Sequence, residues 1–204
     1  MKTIYIMRHG ETDWNREGRL QGQRDCVLNE RGRTQAREAG ERFRQRGLRF
    51  DTVYSSTLAR ARETACLCAG VTESDLRLEP RLMEMDFGPY DGMRLREAGE
   101  EMWQFFRDPV GHPLPGMEPA TALLERTGAF LEDLRADDTD GTVLVVTHGV
   151  AIRALLSHLT GKGNEVWSMP IDNCVLYETR LEHGVFTQAV LSERSNDDGT
   201  QETY

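Results

Sequence analysis

Residues 142–147 contain the unbroken apolar run Val143-Leu144-Val145-Val146. A strand that is apolar on both sides is typical of a parallel sheet whose two faces are covered by helices. Amphipathic stripes with helical spacing occur before and after this run, so strands and helices alternate along the chain. This alternation predicts an α/β fold, a three-layer α/β/α sandwich with a mostly parallel central sheet.

The remaining elements are predicted from apolar periodicity and from residues that begin or end helices. In the clearest helix, Asn29 is a candidate N-cap and Gly47 a candidate stop. Its apolar stripe consists of Ala36, Ala39, Gly40 and Phe43. Further strands are predicted at residues 3–7, 52–55 and 76–78, with a closing pair at 173–179 and 185–191. Helices are predicted at residues 29–46, 58–69, 94–107 and 120–135, and from 152 to a stop at Gly161.

The length of 204 residues fits one compact domain. We expect a single domain at residues 1–191 and a polar, mobile tail at residues 192–204. The segment 109–119 is rich in Pro and Gly. We predict a lid or connecting loop there rather than a linker between domains, because the same pattern of strands and helices resumes after it.

Charge and cysteine content narrow the partners and the compartment. The net charge of −9 argues against nucleic acid or an anionic membrane as a partner. The four cysteines match neither a zinc pattern nor a disulfide framework, which indicates a reducing compartment. The N-terminal apolar run is too short for a signal peptide, and no apolar stretch approaches membrane-spanning length. We therefore expect a cytoplasmic protein; no segment indicates an oligomeric interface.

Two histidines follow two of the predicted strands. His9 lies in Arg8-His9-Gly10 after the first strand, and His148-Gly149 follows the apolar run. If both strands are parallel and central, both side chains leave the same edge of the sheet and face one another across a crevice. A single histidine at such a position is more often structural, and it is the pairing that favours a site.

Arginines near these histidines point to phosphate chemistry. Phosphoryl transfer needs neutralisation of charge on the phosphoryl oxygens and an attacking atom placed in line. Guanidinium groups suit this task because they bind two oxygens at once and stay charged. Arg8 and Arg60 are the candidates, although Arg60 taken alone is typical of a solvated helix residue.

Four segments together resemble the histidine phosphatase superfamily, also called the phosphoglycerate mutase-like family, and in particular its phosphatase branch. The first is Met7-Arg8-His9-Gly10-Glu11-Thr12 with Asn15, which is similar to the family signature. The others are residues 56–65 around Arg60, residues 82–92 around Glu84, and Val146-Thr147-His148-Gly149. These segments occur in the family's order, and the resemblance covers residues 3–191.

The resemblance implies a role for each matching residue. His9 would attack phosphorus, and Arg8, Arg60 and His148 would hold the phosphoryl oxygens. Asn15 and Gln21 would add neutral contacts to the substrate. Glu84 would protonate the leaving oxygen, with Asp86 and Asp91 as competitors for that role. The resemblance also implies that no metal ion and no other cofactor is needed, and the sequence contains no compact cluster of metal ligands.

Some positions depart from common family patterns. Gln23 and Val27 stand where many members have Trp and Pro, and Gly116-Met117-Glu118-Pro119 stands where many phosphatases have Gly-Gly-Glu-Ser. We expect these segments to face the substrate, which leaves its identity open. His112, His158 and His183 lie outside the matched segments and are expected to be surface or packing residues.

The expected function is metal-independent hydrolysis of a small phosphorylated metabolite through a phosphohistidine. The alternative is a cofactor-dependent phosphoglycerate mutase, which would use the same residues. The short connection between Glu84 and His148 favours hydrolysis, because a mutase must keep water away from its phosphohistidine. A third hypothesis is a regulatory protein that binds phosphate without turnover, and the complete residue set argues against it.

Overall fold

A computed structural model describes residues 1–193, so the predicted tail lies, from residue 194 onward, outside the described residues. The described part contains a seven-stranded sheet. Its strands are β1 (Lys2–Arg8), β2 (Thr52–Ser55), β3 (Arg77–Leu78), β4 (Gly141–Thr147), β5 (Leu176–Glu182), β6 (Val185–Phe186) and β7 (Val190–Glu193). Its α-helices are α1 (Asp13–Arg16), α2 (Glu30–Gln45), α3 (Ala59–Ala69), α4 (Glu100–Arg107), α5 (Ala120–Ala136) and α6 (Gly149–Thr160).

The sheet has the order β3-β2-β4-β1-β5-β6, and β7 also pairs with β5. The first four strands are parallel, and β1 pairs with β4 so that Arg8 lies opposite Thr147. β5 runs antiparallel to β1 and begins an antiparallel edge with β6 and β7. The predicted α/β class is confirmed, and the sheet is mixed: the parallel strands extend from the β3 edge to β1, and the antiparallel strands form the other edge.

Helices cover both faces of the sheet because the strand residues alternate between two apolar clusters. Ile4 and Val145 pack on the side of α5 and α6. Met7 and Val146 face the other side, where α2 and α3 pack. A third cluster lies beside the sheet and joins α4 to the start of α6, with Phe106 and Val150 among its members. These clusters make the predicted three layers.

Three predicted elements differ from the structure. The strand expected at 185–191 is divided into β6 and β7, which pair with different residues of β5. The helix expected at 94–107 is a short 3₁₀ turn at Leu95–Glu97 followed by α4, because Ala98 is extended and Gly99 caps the new helix. The strand expected from residue 173 begins at Leu176, since Cys174 has a positive φ of 55° that does not fit a strand. Residues 109–119 contain no helix or strand, as the loop prediction requires.

Candidate active site

His9 and His148 lie side by side at the carboxyl ends of β1 and β4. The backbone N–H of His9 donates to the carbonyl of Thr147 at 3.0 Å, which continues the pairing of the two strands by one residue. The two imidazole rings are 5.1 Å apart between centroids. Both side chains are buried, with 2% and 0% exposure. The parallel strands therefore bring the two histidines together as the sequence predicts.

The hydrogen bonds of His9 determine which nitrogen is free. Nδ1 lies 2.7 Å from the carbonyl oxygen of Gly10, and because a carbonyl only accepts, Nδ1 carries the proton. Nε2 is then the basic nitrogen, and it accepts from Nε of Arg60 at 3.2 Å. Burial and the positive charges of Arg60 and Arg8 hold the pKa of His9 well below its ordinary value. His9 is therefore neutral, with a lone pair on Nε2.

His148 is oriented by Arg60 on one side and by Ser56 on the other. Its Nδ1 accepts from Nε of Arg60 at 3.2 Å, so its Nε2 carries the proton and donates to Oγ of Ser56 at 2.7 Å. Burial, followed by the charges of Arg60 and of His9, lowers the pKa of His148 well below its ordinary value. The ring is a neutral hydrogen-bonding group.

Arg60 is fully buried at the start of α3, in contrast to the solvated position that is typical of such a residue. Its Nη2 and Nη1 groups donate to the carbonyls of Gly22 at 2.7 Å and Arg24 at 2.9 Å. Burial lowers the pKa of Arg60 to about 10, which still leaves it charged at neutral pH. Its guanidinium lies behind the two imidazoles and is bonded to both.

Two buried donors in this region lack a hydrogen-bond partner within the described residues. They are Nε of Arg8 and Nε2 of Gln21. Arg8 donates through Nη1 to the carbonyl of Ile171, and Gln21 accepts through Oε1 from the hydroxyl of Thr12. Buried polar groups are almost always satisfied, and both residues line the same cavity. The two free donors are suited to an anionic ligand.

Asn15 lies beside these donors at the cavity wall. Its Oδ1 accepts from the backbone N–H of Thr12 at 3.2 Å, while Thr12 caps α1. Because the oxygen is engaged, the amide NH₂ is the group that Asn15 can offer to a ligand.

The carboxylate of Glu84 is bound at the N-terminus of α6. Its Oε1 accepts from the backbone N–H groups of Met85 and Ala151 at 3.0 Å each, and its Oε2 accepts from that of Val150 at 3.1 Å. Glu84 lines the cavity together with His9. The competing acids do not line it: Asp86 accepts from the N–H of Gly88, and Asp91 accepts from that of Gly22. Position therefore favours Glu84 as the acid.

The cavity has a volume of about 490 Å³ and is rich in positive charge. Seven arginines line it, namely Arg8, Arg16, Arg19, Arg31, Arg94, Arg96 and Arg153. Four carboxylates line it, namely Glu11, Glu17, Glu84 and Asp172. A chain of net charge −9 thus concentrates arginine where the two histidines meet. Arg60 and His148 are not among the lining residues, and they contact the site through His9.

The segments that depart from family patterns do not line this cavity, contrary to expectation. Val27 is 62% exposed on the surface, and Met117 is buried in the third apolar cluster. Gln23 donates from Nε2 to the backbone carbonyl of Glu84 at 3.1 Å, so it supports the acid-bearing loop. Within residues 1–193 the cavity wall comes instead from residues 15–21 and from Arg94, Arg96 and Phe106.

Several supporting residues were missed by sequence reasoning. Ser56 lies in a matched segment, but its bond to His148 has no sequence signal. Asn173 donates to the carbonyl of His9 at 2.8 Å from a segment predicted as strand. Arg153 donates to the carbonyl of Met169 and lines the cavity. The three other histidines lie outside the site, as expected, with His158 bonded to the carbonyl of Leu124.

Among residues 1–193, no three His, Cys, Asp or Glu side chains are grouped so that they could hold a metal ion. No helix in the same part is both long and apolar enough to cross a membrane.

Comparison with known proteins gives consistent matches. Phosphoserine phosphatase 1 of Hydrogenobacter thermophilus is 34% identical over 85% of this chain and 83% of its own length. A 2,3-bisphosphoglycerate-dependent phosphoglycerate mutase of Mesorhizobium japonicum is 34% identical over 93% and 98%. The crystal structure of a phosphoserine phosphatase variant from Entamoeba histolytica, in complex with phosphoserine, superposes with a TM-score of 0.80 at 26% identity, covering 96% of this chain and 98% of that one.

The family match spans nearly the whole chain. Residues 4–194 fit the family described as histidine phosphatase superfamily (branch 1), and this range includes all four segments on which the resemblance rests. The protein therefore belongs to the histidine phosphatase superfamily.

Proposed function

We propose that this chain, a phosphomonoester hydrolase of the histidine phosphatase superfamily, transfers the phosphoryl group of its substrate to Nε2 of His9 without a metal ion. The observation that carries the proposal is the state of His9: a neutral imidazole with an unprotonated Nε2, in a residue that lines the same cavity as Arg8, whose Nε is unsatisfied. A nucleophile that is deprotonated in its resting state needs no further base.

The first step forms the phosphohistidine. The lone pair of Nε2 of His9 attacks phosphorus while the bond from phosphorus to the ester oxygen breaks. The electron pair of that bond stays on the leaving oxygen, which takes the proton of the Glu84 carboxyl group. Arg8 neutralises the charge on the phosphoryl oxygens in place of a metal ion.

The second step releases phosphate. A water molecule gives a proton to the Glu84 carboxylate and attacks phosphorus, the bond to Nε2 breaks, and its electron pair returns to His9. Glu84 is again protonated and His9 is again neutral, so the cycle balances. The same carboxyl group serves as acid and then as base.

Arg60 and His148 contribute by a change of partner. In this structure the Nε–H of Arg60 is shared between the two imidazoles. When a phosphoryl group bonds to Nε2 of His9, that nitrogen no longer accepts, and the guanidinium N–H is available to a phosphoryl oxygen. Its position behind His9 places this positive charge next to the site of transfer.

The substrate is proposed to be a small metabolite with a second anionic group close to its phosphate ester. Arg94 and Arg96 also line the cavity, and they come from a different segment of the chain than the residues assigned to the phosphoryl group. A carboxylate is a suitable partner for a guanidinium, since the two can form paired hydrogen bonds. The relatives named for phosphoserine and the structure that holds it support a substrate of this kind.

Matched substrate pairs test this proposal. Phosphoserine has a carboxylate that phosphoethanolamine lacks, and 3-phosphoglycerate has a carboxylate where glycerol 3-phosphate has a hydroxymethyl group. We expect the carboxylate-bearing member of a pair to have a kcat/KM at least about 10-fold higher, equivalent to ~1.4 kcal/mol. The double substitution Arg94→Ala with Arg96→Ala should remove most of this preference, and Arg107→Ala, which lies in α4 outside the cavity lining, should keep it. Equal kcat/KM values within both pairs would refute the substrate class.

Phosphoglycerate mutase activity is the second candidate function. The relative named as a phosphoglycerate mutase is 34% identical to this chain, the same identity as phosphoserine phosphatase 1. No residue of the loop at 109–119 lines the cavity, so this loop does not form a longer cover over His9. Incubation with 3-phosphoglycerate and a trace of 2,3-bisphosphoglycerate distinguishes the two activities. Release of free phosphate is expected, and rapid formation of 2-phosphoglycerate with little phosphate would favour the mutase.

A cytoplasmic location is part of the proposal. It is supported by the four cysteines, which form no disulfide within residues 1–193 and of which Cys68 and Cys174 are buried. Burial raises the pKa of the Cys68 thiol, which keeps it unreactive.

A further inference from the structure

The guanidinium of Arg126, in α5, forms hydrogen bonds with the backbone of the loop that contains Glu84. Its Nη1 group donates to the carbonyls of Arg81 at 2.6 Å and Met83 at 2.7 Å. Its Nη2 group donates to the carbonyl of Glu84 itself at 3.1 Å. One guanidinium thus holds three carbonyls within four residues of the loop.

Glu118 completes this contact. It accepts from Nε of Arg126 at 2.7 Å and from Nη2 at 2.9 Å, a paired geometry that fixes the plane of the guanidinium. Glu118 also accepts from the backbone N–H of Asp86 at 3.1 Å and donates its own N–H to the carbonyl of Asp86 at 2.8 Å. Both side chains of the pair are largely buried, with exposures of 18% and 14%.

All five N–H donors of Arg126 are therefore used, two on Glu118 and three on the loop. An ordinary surface ion pair does not use all five donors of an arginine. Lysine could not replace Arg126 here, because it has fewer donors and no planar guanidinium group. The arrangement holds residues 81–86 as one rigid unit against α5.

The same loop is also held by residues outside α5. Gln23 donates to the carbonyl of Glu84, and α6 binds the carboxylate through the N–H groups of Val150 and Ala151. The Glu84 carboxylate therefore keeps a single position only if the backbone of its loop does not move. A displacement of about 1 Å at a reacting group can cost about 10²-fold in rate.

We propose that Arg126 and Glu118 are positioning residues that hold Glu84 for proton transfer. This proposal rests on the proposed function of Glu84 as the acid. A purely structural pair would lower stability and reduce the rates on all substrates alike. A pair that positions the acid affects most the substrates whose leaving group needs a proton.

The leaving group therefore provides the test. A nitrophenolate leaves without protonation, whereas an alkoxide does not. In single-turnover measurements with Arg126→Met, we expect the phosphorylation rate to fall about 10- to 100-fold with an alkyl phosphate and less than about threefold with p-nitrophenyl phosphate. Glu118→Gln, which keeps the shape and loses the charge, should show a smaller change with the same selectivity.

Asp133→Asn is the matched control. Asp133 also belongs to α5 and binds the same loop, through Arg81 at 2.7 Å, but it does not contact Glu84 or its backbone. We expect this substitution to leave the ratio of alkyl to aryl rates at the wild-type value. Arg126→Lys should have a ratio of alkyl to aryl rates between those of Arg126→Met and the wild type. If Arg126→Met does not fold, Arg126→Lys and Glu118→Gln test the proposal in its place.

Glu84→Gln separates this proposal from the function on which it rests. Glu84→Gln should show the full selectivity against alkyl phosphates, and adding Arg126→Met to it should produce no further selective loss. Equal alkyl and aryl losses in Arg126→Met and Glu118→Gln, with selectivity retained in Glu84→Gln, would overturn the positioning role alone. Equal losses in Glu84→Gln itself would overturn the acid role of Glu84, and the positioning role with it.

Discussion

At the scale of single residues, the protonation state of His9 follows from one shared donor. Nε of Arg60 carries a single hydrogen and lies 3.2 Å from Nε2 of His9 and from Nδ1 of His148. Both of these nitrogens must then be unprotonated, and each ring places its proton on the far side, toward Gly10 or Ser56. Burial beside two arginines makes a second proton unfavourable on either ring.

This residue-scale result predicts a pH dependence of stability. The folded-state pKa values of His9 and His148 lie below the value of about 6.5 expected for unfolded histidine. Below about pH 6.5 the unfolded chain therefore binds more protons than the folded chain, and the free energy of unfolding falls with falling pH. The contribution of the two histidines to the free energy of unfolding is fully present above about pH 6.5. It is lost progressively as the pH falls toward their folded-state pKa values.

Urea unfolding at about pH 7.5 and about pH 5.5 measures this effect in a range where most carboxyl groups remain ionised. The wild type should lose stability at the lower pH, and His148→Gln should lose less because one of the two buried rings is absent. His112→Gln, in an exposed loop, should behave as the wild type does. A free energy of unfolding that is independent of pH in both the wild type and His148→Gln would contradict the account.

The residues of the site were largely predictable one by one. His9, His148 and Glu84 lie in motifs whose residue types and order match the family, and the structure brings them together. Ser56 and Arg126 were not predictable as supporting residues, because their partners are 92 and 42 residues away in sequence and their roles depend on packing. The burial of Arg60 was likewise not predictable, because the local sequence simply alternates Ala and Arg.

At the scale of elements, helix α2 shapes the loop that contains His9. Asn29 caps the helix by accepting from the N–H of Gly32 at 2.8 Å, as the sequence predicts. Gly32 then lies directly against the backbone of Gly10 and Glu11, and a Cβ atom at Gly32 would overlap the carbonyl oxygen of Glu11. This close backbone contact sets how far α2 lies from the nucleophile.

Gly32→Ala should therefore displace the His9 loop from α2. We expect a loss of about 1–3 kcal/mol in the free energy of unfolding, the usual cost of excess volume in a packed interior. The turnover number should fall as well, since the loop that moves carries the nucleophile. Arg37→Ala, on the exposed face of the same helix, should stay within about 0.5 kcal/mol of the wild type and keep its activity. Wild-type stability and turnover in Gly32→Ala would show that the contact is not important.

Elements with strong periodicity were predicted well, and those without it were not. The strand at 52–55 and the helix that starts after Leu58 match the structure. The expected helix at 94–107 is interrupted because Gly99 begins a new helix, and this interruption turns Arg94 and Arg96 toward the cavity. Gly99 is a local signal for that break, and it was outweighed in the prediction by the charged residues on both sides, which suit a helix.

At the scale of the whole molecule, the protein separates its charges. The chain carries a net charge of −9, whereas arginines outnumber carboxylates around the cavity. The parallel centre of the sheet brings distant arginines to one edge, from the loop after β1 and from the segment before α4. Composition alone argues against polyanionic partners such as nucleic acid and leaves room for a small anion. The distribution of charge was not predictable without the topology.

The central claim is that the phosphoryl group passes through Nε2 of His9, and rapid-quench labelling tests it most directly. The enzyme is mixed with radiolabelled substrate, quenched with alkaline denaturant, digested and mapped. We predict about one acid-labile phosphoryl group per chain, on the peptide that contains His9, with the same yield in the presence of a chelator and none in His9→Ala. An acid-stable label on a serine or an aspartate, or labelling that is lost on chelation and restored by a metal ion, would contradict the account.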